Sequence, residues 1–204
     1  MSVLIIDYGT SNLGSARRAF EECGAQVFVS DDPKDILTAS KLVLPGVGTF
    51  KAGMTLLRDI GWVPAIRQAV QEEGIPLLGI CLGMQLLADA GYEGGQHVGL
   101  GLISGAVKRL EPDKPGIRIP HVGWNEVYPE QGSRLFSGIP AGSDFYFVHS
   151  YHFVPKHKDA ICATTPYCGS FVSAVGSDMV FGVQFHPEKS GRLGFQLIKN
   201  FLRI

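Results

Sequence analysis

Residues 79–85 read Gly79-Ile80-Cys81-Leu82-Gly83-Met84-Gln85 and follow the apolar run Ile75-Pro76-Leu77-Leu78. The apolar run predicts a buried strand, and Met84-Gln85-Leu86-Leu87-Ala88 consists of residues with high helix propensity. The stretch therefore predicts a strand, a sharp turn and a helix, with Cys81 at the turn. Its Gly-x-Cys-x-Gly pattern has the form of a nucleophile elbow in which cysteine replaces serine.

The elbow pattern has a chemical interpretation and a simpler one. Glycines let the chain adopt the unusual backbone angles of a tight turn. The turn would place the Cys81 sulfur at a helix N-terminus, where the local dipole favours a thiolate. The backbone N–H of Leu82 would then donate to a developing oxyanion. The simpler alternative is a buried, inert cysteine between packing glycines.

Strands and helices alternate on both sides of the elbow. Strands are predicted at 3–7, 26–29, 41–44 and 75–80, with helices at 13–23, from 33, and at about 53–60 and 63–72. This order predicts an α/β fold with a doubly wound, mostly parallel sheet flanked by helices. An antiparallel β extension is predicted from strand-like runs at 106–110, 126–128, 145–153, 160–164, 171–175 and 180–185, before a last helix at 192–202. Since no linker divides the chain, we expect residues 1–204 to form a single domain.

Three loops follow predicted parallel strands, at 8–12, near Gly46 and at Cys81. In such sheets the functional site lies beyond the carboxyl ends of the strands. Pro45-Gly46-Val47-Gly48 resembles a phosphate loop, but no Gly-Lys-Ser/Thr follows it. A plain turn is the simplest interpretation. We favour a loop in which Gly46, Val47 and Gly48 face the elbow and supply a second oxyanion donor.

The second informative stretch is Gln184-Phe185-His186-Pro187-Glu188. In extended chain, residues two apart point the same way, so His186 and Glu188 are predicted to lie side by side. A carboxylate beside an imidazole holds its tautomer, and the imidazole can take a proton from Cys81 and return it to a leaving amine. Alone, His-Pro-Glu is a weak signal. Together with the elbow it predicts a Cys81–His186–Glu188 triad.

Composition excludes several other classes. The 204 residues carry a net charge of −1, so no basic field favours nucleic acid or a membrane surface. The four cysteines form no Cys-x-x-Cys pair, and without a secretory signal we expect reduced thiols in the cytoplasm. His149 and His152 would face opposite ways on a strand, so no metal site is assigned.

The motifs resemble those of the class I (triad) glutamine amidotransferases along essentially the whole chain. Within that family they are most similar to the glutaminase subunits of imidazole glycerol phosphate synthases, because of the run Pro120-His121-Val122-Gly123-Trp124-Asn125. The other stretches that carry the resemblance are Asp7-Tyr8-Gly9 with Asn12, Pro45-Gly46-Val47-Gly48, the elbow, Tyr146-Phe147-Val148-His149-Ser150-Tyr151 and Gln184-Phe185-His186-Pro187-Glu188-Lys189-Ser190.

The resemblance implies a reaction and its substrate contacts. Cys81 would form a glutamyl thioester from the side-chain amide of glutamine, release ammonia, and be freed by water, with no cofactor. Gln85 and Glu93 would contact the amino-acid end of glutamine, and the backbone at Gly48, Ser150 and Tyr151 would help to hold it. The simpler alternatives are a loop charge for Glu93 and a solvated side chain for Gln85.

The resemblance also implies a partner. Ammonia would pass to a (β/α)₈-barrel cyclase subunit in a heterodimer that serves histidine biosynthesis. Predicted interface residues are Asn12, His121, Gly123, Trp124, Asn125, Tyr146 and Lys189, although Trp124 could equally be a core residue. Three alternatives stay open: a paralogue that supplies ammonia for a surface-polysaccharide sugar, a standalone cysteine hydrolase, and a non-catalytic binding module.

Overall fold

The computed structural model describes residues 1–9 and 12–204. Its strands pair into one continuous network whose middle lies next to the elbow. The strands are β1 Ser2–Ile6, β2 Gln26–Ser30, β3 Lys41–Gly46, β4 Leu77–Cys81, β5 Ala90–Gly91, β6 His97–Val98, β7 Gly105–Arg109, β8 His121–Pro129, β9 Ser143–His149, β10 Tyr151–Pro155, β11 Ile161–Thr165, β12 Phe171–Ser177 and β13 Val180–Val183.

Five α-helices are described. They are α1 Leu13–Glu22, α2 Phe50–Ile60, α3 Trp62–Gln71, α4 Leu82–Leu86 and α5 Gly191–Arg203. The side chain of Thr49 caps α2 by accepting from the Ala52 amide, and Gly61 ends that helix in the left-handed conformation. Short 3₁₀ helices at Pro33–Thr38 and Pro187–Lys189 replace regular helix where the chain turns.

The parallel part of the sheet has the strand order β2-β1-β3-β4-β13. In its register Gly46 lies opposite Cys81, and Val183 lies opposite Ile80. The chain segments that leave β1, β3, β4 and β13 therefore emerge at the same edge. Cys81 ends β4 at that edge, and His186 and Glu188 follow β13 there.

The antiparallel part begins where β12 pairs with β13. β12 also pairs with β10 and β11, β10 pairs with β7, and β8 pairs with β11 and β9. This extension brings the end of β9 and the start of β10, with His149 and Tyr151, to the edge that holds the elbow.

Both faces of the parallel sheet are covered by apolar side chains. Along β1, Val3 and Ile5 face one cluster, which also contains Phe20 of α1 and Phe201 of α5. Leu4 and Ile6 face the other, which α2, α3 and α4 complete with Phe50, Trp62 and Leu82 among others. Alternate residues of a strand point to opposite faces, so a continuous apolar strand fits a sheet buried on both sides.

The predicted α/β architecture with its antiparallel extension is confirmed. Several local details differ, and the short strands β5 and β6 were not predicted. Residues 33–38 form a 3₁₀ helix instead of an α-helix, 145–153 are two strands interrupted at Ser150, and β8 begins at His121 instead of 126. The predicted loop 8–12 includes Thr10 and Ser11, which lie outside the described residues.

Among residues 1–9 and 12–204, the helices are all too short or too polar to span a bilayer. The thiols of Cys23, Cys81, Cys162 and Cys168 are free.

Candidate active site

The elbow holds Cys81 in a rare backbone conformation. Cys81 ends β4 with φ 55° and ψ −111°, and α4 begins at the next residue. A positive φ is uncommon for a residue with a side chain and is typical of functional sites. Because α4 starts at Leu82, the Leu82 amide has no partner within the helix. Cys81 is 7% exposed as a whole residue and lines a pocket instead of lying on the open surface.

The elbow glycines are required for close packing. A Cβ on Gly79 would lie 2.7 Å from backbone atoms of Gly83 and from the Met84 nitrogen. A Cβ on Gly83 would collide with the carbonyl oxygen of Leu44 on β3. We predicted that these glycines absorb the unusual backbone angles, but Cys81 itself has the positive φ. The glycines instead let the turn lie directly against β3 and α4.

His186 and Glu188 are in direct contact. His186 Nδ1 and Glu188 Oε1 are 2.7 Å apart, and the histidine is 4% exposed. The predicted reason, an extended segment, is wrong, because Pro187–Lys189 form a 3₁₀ turn with His186 at its start. Ser190 fixes this turn by donating its hydroxyl to the His186 carbonyl at 2.6 Å. The two side chains therefore meet across a 3₁₀ turn, not along an extended strand.

The surroundings of His186 favour its protonated form. Burial lowers the pKa of His186, but hydrogen bonding and charge from Cys81 and Glu188 outweigh it and raise the pKa to about 9. Within the described part of the chain, Nε2 has no partner in strict hydrogen-bond geometry. The hydrogen bond between the Cys81 sulfur and the imidazole therefore departs from ideal geometry.

One cavity of about 260 Å³ collects most of the predicted site. Its volume lies below the range of drug-sized pockets and suits a small metabolite. It is lined by Val47, Gly48, Cys81, Leu82, Gln85, Glu93, Val148, His149, Ser150, Tyr151 and His186. Of the predicted oxyanion and substrate residues, Gly46 alone is not in its lining; it is the last residue of β3 and lies opposite Cys81.

Gly46 and Gly48 shape the loop opposite the elbow. A Cβ on Gly46 would collide with the hydroxyl of the buried Tyr8, and Gly48 has φ 103°. Both positions therefore favour glycine for physical reasons. Val47 between them is 46% exposed, so this loop borders both solvent and the cavity.

The side chains of Gln85 and Glu93, the two predicted substrate contacts with side-chain amide or carboxylate groups, both form hydrogen bonds within the protein. Gln85 is 6% exposed, and its Nε2 donates to the Tyr151 carbonyl at 2.9 Å and to Gln184 Oε1 at 3.0 Å. Glu93 Oε2 accepts from the Phe50 amide at 2.8 Å, at the N-terminus of α2. Gln85 is therefore not a solvated side chain, and Glu93 is a partly buried carboxylate bonded to the start of α2.

Two residues of the site were missed by the sequence reasoning. Gln184 is fully buried and its Nε2 lies 3.7 Å from the Cys81 sulfur. A polar residue inside the apolar run 180–185 was the available signal. His149 lines the cavity, although we considered it only as a metal ligand. In residues 1–9 and 12–204, no group of three or more His, Cys, Asp or Glu side chains forms a candidate metal site.

The predicted partner residues are split between surface and interior. Trp124 is 58% exposed and packs edge-to-face on Tyr146, and the Lys189 ammonium lies 5.8 Å from the Tyr146 ring centre. Asn12 is exposed, while Gly123 and Asn125 are partly buried. His121 contradicts its prediction, because it is 3% exposed. Its strand alternates, so Val122 and Trp124 face outward while the His121 ring faces the core.

Comparison with known proteins agrees with this geometry. The model of the family described as glutamine amidotransferase class-I matches residues 4–204. Imidazole glycerol phosphate synthase subunit HisH of Moorella thermoacetica is 50% identical over 200 residues, covering 98% of this chain and 93% of that protein. Subunit HisH 1 of Campylobacter jejuni strain RM1221 is 45% identical over 202 residues, covering 99% and 100%.

A solved structure shares the fold. A crystal structure described as a glutamine amidotransferase superposes with a TM-score of 0.77 at 18% identity, covering 98% of this chain and 97% of that one. A cysteine elbow, a paired histidine and glutamate, and a match to the family model over residues 4–204 all agree. The chain belongs to the class I glutamine amidotransferases.

Proposed function

We propose that this chain is the glutaminase subunit of an imidazole glycerol phosphate synthase. The relatives of 45% and 50% identity are named as subunits of that synthase, and this chain matches nearly their full length. The observation that carries the proposal is the meeting of Cys81 and His186 at one small cavity, with Glu188 bonded to the imidazole. We further propose that residues 1–204 act as one domain in the cytoplasm.

The residues support hydrolysis of glutamine in two steps. The Cys81 sulfur attacks the side-chain carbonyl of glutamine, and His186 receives the thiol proton. His186 gives that proton to the leaving nitrogen, so the C–N bond breaks, ammonia departs and a glutamyl thioester remains. His186 then takes a proton from water, whose oxygen attacks the thioester, and the thiol is restored as glutamate leaves. Glu188 holds the imidazole and stabilises its charged form.

Charge on the tetrahedral oxygen requires donors that are already in place. The Leu82 amide at the start of α4 is one candidate. The loop of Gly46, Val47 and Gly48 is the other, with Val47 and Gly48 in the cavity wall. Removing one such donor typically slows the chemical step by about 10²–10³-fold.

Part of the cavity lining is suited to the amino-acid group of glutamine. This part consists of Gln85, Glu93, Ser150 and Tyr151. Glu93 can attract the α-ammonium through the carboxylate oxygen that is not bonded to Phe50. The Gln85 amide nitrogen is already donating, so its oxygen remains to accept a hydrogen bond from the substrate.

A partner surface lies beside this cavity. Strands β8 and β9 expose Val122, Trp124 and Val148 at 57%, 58% and 39%, and Val148 also lines the cavity. Exposed apolar side chains in one patch favour a protein partner over solvent. The partner that fits the proposal is a (β/α)₈-barrel cyclase that receives ammonia and acts on a ribulosyl formimino carboxamide nucleotide.

The proposal is tested by measuring glutamate release with and without a candidate cyclase and its nucleotide ligand. The isolated chain is expected to hydrolyse glutamine slowly, and addition of both is expected to accelerate it, because the exposed loop at Val47 must adopt its competent shape. An isolated chain as fast as the complex would remove the activation claim. Absence of any binding to the barrel would favour the sugar-modifying paralogue.

The partner surface has its own prediction. Trp124→Ala is expected to weaken binding of the cyclase by about tenfold or more, since aromatic side chains dominate interface energies. The thermal midpoint should change little, because Trp124 is mostly exposed. Tyr128→Ala is the matched control, because Tyr128 lies on the same strand and is 43% exposed, but four residues farther along. Calorimetric titration with equal losses for both variants would contradict this placement.

A further inference from the structure

A chain of side-chain hydrogen bonds runs from strand β8 into the substrate cavity. Asn125 Nδ2 lies 3.2 Å from His121 Nε2, and His121 Nδ1 lies 3.0 Å from His149 Nε2. His149 Nδ1 lies 2.8 Å from the Tyr151 carbonyl oxygen. The triad and the predicted substrate contacts do not use His121 or His149, so these two buried rings need an explanation.

The proton positions in this series of hydrogen bonds follow from the groups at its two ends, the Tyr151 carbonyl and the Asn125 amide. The Tyr151 carbonyl can only accept, so His149 carries its proton on Nδ1 and its Nε2 accepts. His121 must then donate from Nδ1, which leaves its Nε2 to accept from the Asn125 amide. The Asn125 oxygen accepts from the Glu126 backbone N–H at 2.8 Å, which fixes the orientation of the amide. Every bond therefore points the same way, toward Tyr151.

Burial keeps both rings neutral. Desolvation lowers the pKa of His121 to about 4 and the pKa of His149 to about 3. Aromatic side chains enclose His121, which stacks on Tyr167 with ring centres 3.9 Å apart and on Phe147 at 4.8 Å. Two neutral rings in fixed tautomers form a rigid connection instead of a pair of proton donors for catalysis.

We propose that His121 and His149 are positioning residues that fix the Tyr151 carbonyl, and through it Gln85, at the substrate end of the cavity. This inference rests on the proposed function for its kinetic part. The Tyr151 carbonyl accepts from both His149 and Gln85, so the two rings set the place where the Gln85 amide is anchored. Gln85 in turn donates to Gln184, whose amide reaches the Cys81 sulfur. His121 thus acts on glutamine without touching it.

The proton positions are tested directly on the folded wild-type chain. Long-range ¹⁵N–¹H correlation spectra of the histidine rings distinguish the two neutral tautomers. His121 and His149 should both appear as the Nδ1–H form and remain neutral from pH 5 to pH 8. A spectrum with either ring in the Nε2–H form, or charged in that range, would overturn the proposal whatever the enzyme does.

The kinetic test compares two substitutions at His121 in the complex with the cyclase. His121→Phe keeps a ring to stack on Tyr167 but removes the donor, and it should raise KM for glutamine about fivefold with kcat within about twofold. His121→Asn loses the ring but keeps an N–H near the position of Nδ1. It should therefore retain most of the affinity for glutamine. Circular dichroism and thermal midpoints establish the folded fraction of each variant.

The pattern of the two variants separates positioning from packing. If His121 serves packing alone, His121→Asn should have a higher KM for glutamine than His121→Phe. That result would show that the proposal is wrong. Equal KM values in His121→Phe and wild type would also overturn it. Failure of the proposed function looks different, because wild-type chain and cyclase together would then release no glutamate while the ring spectra stay as expected.

Discussion

At the scale of single residues, His186 is held between two opposing influences. Burial disfavours the imidazolium, whereas Glu188 and Cys81 favour it, and the pKa rises to about 9. A histidine with this pKa accepts the thiol proton readily and carries it at neutral pH. It therefore has the proton at hand when ammonia must leave.

Removing the carboxylate tests this balance. Glu188→Gln should lower the pKa of His186 from about 9 toward its ordinary value of 6.5, because burial is then less opposed. NMR titration of the His186 ring measures the pKa. Glutamate release should fall by about 10² or more, because the imidazole loses the group that holds its tautomer and charge.

The same substitution has a consequence for stability. A pKa raised in the folded state stabilises the fold fully below about pH 6.5, and this stabilisation is lost as the pH rises through about 9. Between pH 6 and pH 9.5, urea unfolding should therefore show a loss of stability in wild type that is smaller in Glu188→Gln, where Cys81 alone still raises the pKa of His186. An unchanged His186 pKa in the variant would show that Glu188 does not control the ring.

The sequence alone identified some residues of the site but not others. Cys81 and His186 were predicted because a nucleophile between glycines and a histidine beside a glutamate are local patterns. Gln184 was missed because its role depends on contacts with Gln85 and Cys81, which lie about a hundred residues away. His121 was assigned to the surface because only the pairing of β8 with β9 decides which way its ring points.

At the scale of elements, the elbow depends on how closely α4 approaches β3. Gly83 lies on the first turn of α4, and any side chain there would meet the Leu44 carbonyl oxygen. The turn therefore has little freedom to move, and the Cys81 sulfur is held where β3, β4 and β13 end.

Enlarging this glycine should disturb the elbow. Gly83→Ala is expected to lower the free energy of unfolding by about 2–4 kcal/mol, because backbone atoms cannot move aside easily. Gly14→Ala is the control. A Cβ on Gly14 meets nothing within 4 Å, and the residue is exposed within α1. That change should stabilise the chain by about 0.5–1 kcal/mol. Similar denaturation curves for the two variants would show that α4 is not packed tightly on β3.

The positions of strands were predicted well where the sequence pattern of a short segment is enough to identify them. The strands of the parallel part were predicted within about three residues, because long apolar runs between helices identify buried strands. The start of β8 was missed, since His121-Val122-Gly123-Trp124 mixes polar and apolar residues whose faces only the partner strand defines. The break at Ser150 likewise depends on β9 and β10 pairing with different strands.

At the scale of the whole molecule, two buried neutral histidines make the fold sensitive to acid. The pKa of His121 is lowered to about 4 and the pKa of His149 to about 3, in both rings chiefly by burial. The unfolded chain binds protons at these residues below about pH 6.5, whereas the folded chain does not. Acid therefore favours the unfolded state.

This linkage predicts a loss of stability on the acid side. The free energy of unfolding should fall by on the order of a few kcal/mol as the pH drops from about 6.5 to about 4. Denaturant titrations at several pH values measure the slope. His121→Phe should have a smaller slope than wild type, because one of the two rings is gone. Identical slopes would mean that His121 is not held neutral in the fold.

The whole sheet brings its functional residues to one edge, where Cys81 of β4 and His186 beyond β13 share a cavity. The measurement that tests this account most directly is synthesis by the complex of Cys81→Ala with the cyclase, supplied with either glutamine or ammonium. The account predicts that glutamine-dependent synthesis is abolished while ammonium-dependent synthesis continues at the wild-type rate. Continued use of glutamine by the variant would contradict the assignment of Cys81 as the nucleophile.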